Sequence, residues 1–213
     1  MSEYPVGAKR GRLGFFLILI LIALGSILIL SPAKLPNTGY AVVSEDGVVE
    51  MLQLFLLILS AALYFAASSH AGRLAPMFKV FGYGAVAAAI GEYAGPLESL
   101  LDPVQSEWLV WPLFLIIIFK LLKYPKAFTL FWGYASSKPA AGFLLAGIII
   151  AYVFAGVFGS NQFWEASLGG SFHPKTPDIV ESYLELLACY FIFISSIGFC
   201  IPVTKRQQNS AAL

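Results

Sequence analysis

Six apolar stretches, each long enough or nearly long enough to cross a bilayer, leave this 213-residue chain little choice of fold. A spanning helix takes about 20 mostly apolar residues, and the stretches run approximately over 13–30, 50–69, 77–95, 108–122, 139–159 and 179–203. Charged residues make up only 12% of the chain, against about a quarter in an ordinary soluble domain. Lipid is therefore the expected main solvent. The fold class this predicts is all-α: a polytopic membrane bundle of six transmembrane helices with no soluble domain. The fourth stretch is the shortest, but Lys120 and Lys123 can snorkel to the interface and lengthen it. The third is the least apolar and the richest in Gly and Ala, so it is expected to be the span most enclosed by protein.

The charges between these stretches are sorted by sign. Among the twelve acidic residues only Glu3 falls on the side of the amino terminus, and among the thirteen Lys/Arg only Lys34 and Lys175 fall on the other. The positive-inside rule then gives a cytoplasmic segment over 1–12, a six-helix domain over 13–203 and a cytoplasmic tail over 204–213, in the cytoplasmic (inner) membrane. Lys9, Arg10 and Arg12 resemble the basic start of a signal peptide, and Ser31-Pro32-Ala33 passes for a cleavage site. The apolar core between them is longer than a signal peptide's usual one, so the first stretch reads as a retained anchor helix. Short basic clusters without a basic stripe exclude a nucleic-acid partner. Cys189 and Cys200 lie on one helix, separated by roughly 16 Å of rise, beyond disulfide reach, and leave the redox compartment undetermined.

The longest loops are Ser31–Val49 and Ser160–Asp178 outside and Tyr124–Lys138 inside. The inner one carries Phe128, Phe131 and Trp132 and is expected to lie flat in the interface. Trp108, Trp111 and Trp164 belong near the outer headgroups, where aromatic belts form.

Most of the acidic outer face has a plain structural role. Helix amino termini expose free N–H groups and the positive end of the dipole, and both favour carboxylates. Asp46 and Glu50 open the second span, Glu107 opens the fourth, and Thr176-Pro177-Asp178 with Glu181 opens the sixth in the manner of an N-cap and capping box. Glu185 lies a turn deeper than Glu181 among leucines. Glu92 ends the third span, where the dipole disfavours an anion. Unpaired charge inside a membrane is costly and leans functional.

Helical spacing joins these two acids to a shared interior. Glu50, Gln53, Leu57, Ser60, Tyr64 and Ser68 fall on one face of the second span, and Glu181, Glu185, Cys189 (or Ala188), Ile192 and Ser196 on one face of the sixth. Gly84, Ala88 and Glu92, beside Ala87, Gly91 and Gly95, make a small-residue row on the third, of the kind that lets helices approach closely. The expected core is the second, third and sixth spans around an outward-facing acidic pocket. Its candidate ligands are Glu50, Glu92, Glu181, Glu185 and His173. Carboxylates with one imidazole suit a divalent cation, or a proton held by one of the carboxylates. The plainer alternative has Glu185 hydrogen-bonded to Tyr83, Tyr93 or Ser60.

Glu45-Asp46-Gly47 with Glu50, Glu98-x-x-x-Asp102 before Trp108, and Val180-Glu181-Ser182-Tyr183-Leu184-Glu185-Leu186-Leu187 resemble motifs of uncharacterised bacterial multi-pass membrane proteins. The likeness runs from about Glu45 to Phe199, and it implies architecture without implying an activity.

Known catalytic templates are absent: the chain has no His-Glu-x-x-His, no Gly-x-Ser-x-Gly and no phosphate-binding glycine loop. His70 is expected inside and His173 outside, so they cannot share a metal. Three readings of function follow. The first is a multi-pass membrane protein with an outward-facing site for a cation or proton. The second is a metal-assisted hydrolase acting on a lipid or periplasmic substrate through Glu185, Glu92 and His173. The third is a structural or assembly partner, either within a homo-oligomer or beside another membrane protein.

Overall fold

A computed structural model describes residues 47–94, 97, 107–169 and 172–210, with backbone alone at 107 and 201–210. Every element among them is helical: α1 (Val48–His70), α2 (Ala75–Glu92), α3 (Glu107–Lys123), α4 (Pro125–Ala135), α5 (Pro139–Phe158), α6 (Asn161–Leu168) and α7 (Thr176–Ser210). A single 3-10 turn, Gly72–Leu74, joins α1 to α2, with Gly72 at a positive φ of 52°. Four helical stretches, Val48–His70, Gly72–Glu92, Pro139–Phe158 and Thr176–Cys200, are long and apolar enough to cross a membrane. These are the second, third, fifth and sixth of the expected spans. The expected first span, 13–30, lies outside the described residues.

The expected fourth span, 108–122, falls on α3, which at 17 residues is the shortest of these stretches and at the short end of what crosses a bilayer. α4 turns off it by 89°. Lys120 does not simply reach outward: its Nζ sits 5.7 Å from the centre of the Tyr83 ring on α2, a cation–π contact that ties the two helices.

α1 packs on both α2 and α7, α3 packs on α2, and α5 packs on α7. α1 and the Gly/Ala-rich α2 are enclosed to the same extent, and α7 equally. The buried face of α1 is Gln53, Leu57, Ser60, Tyr64 and Ser68, the set that helical spacing selects. α2 and α7 do not pack backbone to backbone.

The inner loop is for the most part a helix, α4, with Phe131 turned inward and Phe128 and Trp132 exposed. Phe131 meets Phe78 of α2 edge-on at 5.9 Å, Phe81 at 5.0 Å and Phe199 of α7 at 5.5 Å. Tyr64, Met77, Ala127, Ala135 and Ala140 complete this aromatic core. Rings meeting edge-on or tilted at 4.5–7 Å gain about 0.5–1.5 kcal/mol per pair beyond their burial.

Small residues bring helices together, but not those of the Gly84 row. A Cβ on Gly82 would fall 2.8 Å from the Phe65 ring, one on Gly198 2.8 Å from the Ala140 Cβ, and one on Gly147 3.0 Å from the Ala188 carbonyl. The close approaches are therefore α1 to α2 and α5 to α7. Gly84 and Gly91 would meet nothing within 4 Å; they border open space.

Candidate functional site

That open space is a cavity of about 440 Å³. Tyr64 of α1, Gly84, Ala88 and Glu92 of α2, Ile148 and Tyr152 of α5, and Glu185 and Cys189 of α7 all line it. It exists because α2 and α7 each pack on α1 without packing on each other, and because glycine and alanine on α2 leave the gap unfilled. Among the described residues the only charged side chains in its wall are Glu92 and Glu185, and no Lys, Arg or His lines it.

Of the five expected site residues, Glu92 and Glu185 line the cavity, while Glu50 and Glu181 lie outside its wall but near enough for their charge to act on it. Glu92 feels the charge of Glu185, Glu50 and Glu181, and Glu185 that of Glu181 and Glu50. Glu50 lies in the first turn of α1, on the helix face the spacing indicates. Glu181 reaches across to α5, where its carboxylate packs against Gly159 so closely that a Cβ there would collide with it. His173 stands apart: it is exposed in the turn before α7, and its Nδ1 accepts from the Lys175 N–H at 3.3 Å. Among the described residues, no three His, Cys, Asp or Glu side chains are grouped so that they could hold a metal ion.

Neighbouring polar groups are committed elsewhere. The Ser60 hydroxyl donates to the Leu56 carbonyl at 2.7 Å, and the Tyr83 ring lies between Phe65 and Lys120. The group actually beside Glu185 is Gln53, only 1% exposed. Its Nε2 donates to the Ser182 carbonyl at 3.1 Å, while its Oε1 is buried with no donor. Sequence reasoning placed Gln53 on the right face without recognising it as part of the site. The available signal was a lone amide one turn beyond Glu50 in an otherwise apolar run.

Tyr152 is also new. It sits in Ile150–Ala155, where α5 widens from an α- to a π-helix, and such bulges often mark functional positions. Cys189 is buried and Cys200 partly buried, and no disulfide joins them.

No family model matches this chain, no curated protein matches it in sequence, and no solved structure matches it in fold. Its own residues carry the functional argument.

Proposed function

We propose that this chain is a multi-pass protein of the cytoplasmic membrane whose carboxylate cluster takes up a proton or a cation from the outer side. In this reading the chain crosses six times, 13–30 being the first span, and both termini are cytoplasmic. Glu92 and Glu185 are the binding groups, and Glu50 and Glu181 add to the negative field. His173 remains outside the inner set, as a group at the approach to it.

One observation carries the reading. Glu92 and Glu185 face a single apolar cavity from two helices, and among the described residues no Lys, Arg or His lines it. Buried charge without an opposite charge is strongly unfavourable, so the site is stable only when a proton or cation supplies the missing positive charge.

A thermal melt of the detergent-purified chain tests this, across titrations of pH and of monovalent and divalent cations, beside Glu185→Gln. A ligand that binds only the folded state at about 100 times its dissociation constant stabilises it by roughly 2.7 kcal/mol. The expected result is a saturable rise in Tm that the variant lacks. No rise with any cation or proton, with Glu185→Gln behaving as wild type, sinks the site and leaves the partner-protein reading.

A further inference from the structure

The cavity that holds Glu92 and Glu185 does not stop at its own walls. A second recess of about 830 Å³ shares Val80, Phe81, Leu144 and Ile148 with it. The two adjoin at these residues to make a channel from the carboxylates to Phe128 and Trp132 on α4, with Lys138 in the wall at the far end. Leu145, Ile148 and Tyr152 along the channel are exposed, so it opens sideways to the apolar phase around the helices.

We propose that this channel binds a lipophilic organic cation, with its positive centre at Glu92 and Glu185 and its apolar body in the groove beneath them. The proposal rests on the acidic-site reading and names that site's ligand class. Charge complementarity is the first ground: both charged groups in the carboxylate end are anionic. The rest of the wall decides which cation fits. A small inorganic ion gives up its water only for several oxygen ligands, and this wall is mostly aliphatic. An organic cation is weakly hydrated and brings apolar surface that the groove can bury. Tyr64, Phe81 and Tyr152 add aromatic surface beside the cavity, which cations favour.

Gln53, behind the cavity wall, is a second observation beside the site: it hydrogen-bonds Glu185 and the Ser182 carbonyl, and its buried Oε1 has no donor. The amine headgroup of a phospholipid suits the site less well, because its phosphate would be carried up against the carboxylates, and like charges in contact are repelled.

Equilibrium binding of tritiated tetraphenylphosphonium to the detergent-purified full chain tests this. Two variants accompany wild type: Glu185→Gln, and Gly84→Leu, which fills the cavity from a position where a Cβ meets nothing within 4 Å. Wild type is expected to bind saturably. Each variant is expected to bind at least about tenfold more weakly, since contact with a buried charge is worth a decade of affinity or more. Absent saturable binding to wild type, or wild-type affinity in folded Gly84→Leu, overturns the proposal. Where Glu185→Gln does not fold, Gly84→Leu decides alone. If wild type ignores the probe yet is stabilised by inorganic cations or protons, the ligand class is wrong and the acidic site stands. If it responds to neither, both fall.

Discussion

Gln53 on α1 donates its Nε2 hydrogen to the Ser182 carbonyl on α7 at 3.1 Å, which leaves the buried Oε1 of the same amide without a donor. The bond is one of few polar links between the two helices, and the orphaned oxygen offsets part of what it contributes. Interhelical hydrogen bonds in membranes average only about 0.6 kcal/mol. Gln53→Met, of similar shape, removes both the bond and the orphan. It is expected to change unfolding stability by less than about 1 kcal/mol while weakening the response to added cation. Melts of wild type and variant with and without cation check this, and an unchanged cation response removes Gln53 from the site.

Gly159, just past the end of α5, and Glu181 of α7 form a second tight pair. Gly159→Ala displaces the end of a flexible side chain rather than a packed core and is expected to destabilise by less than about 1 kcal/mol. Glu181→Ala removes the obstruction, so the double variant should recover that loss. A double-mutant cycle that comes out additive rules out the contact.

Phe131 distinguishes a packed α4 from one that floats in the interface. Phe131→Ala empties the middle of the aromatic core and is expected to cost about 3–5 kcal/mol. Phe128→Ala and Trp132→Ala, at exposed positions, should cost far less. Equal losses from all three, measured by reversible unfolding in mixed micelles, contradict the inward turn of Phe131.

The proposed orientation places His70 and His173 on opposite sides of the membrane. With Cys189 and Cys200 replaced by alanine, a cysteine at His173 is expected to react with an impermeant maleimide in intact cells. One at His70 is expected to react only after lysis. The reverse pattern inverts the topology and moves the acidic site to the cytoplasmic side.

The sequence displayed the helices and the carboxylate end well, because both leave a periodic trace. Gln53, Leu57, Ser60, Tyr64 and Ser68 repeat at helical spacing, and all five are buried on α1. Glu92 and Glu185 stood out because no cap explains them, and they share one cavity. The Gly84–Gly91 row was harder to read. Small residues that let helices touch and small residues that leave a void between them look alike in one dimension, and here they leave the void. α4 was hidden between Pro125 and Pro139, where eleven helical residues are too few to announce a span. The π segment left no trace, since Ile149 and Ile150 have ordinary helical dihedrals.

α2 and α7 meet ring to ring where Phe78 faces Phe199 at 6.1 Å. From that contact each helix runs fourteen residues, Phe78 to Glu92 and Phe199 to Glu185, an arm of roughly 21 Å. Between that contact and the carboxylates the two helices do not pack on each other; α1, packed on both, sets how far apart Glu92 and Glu185 stand. The width of the acidic end is thus a property of α1, the helix that carries neither carboxylate.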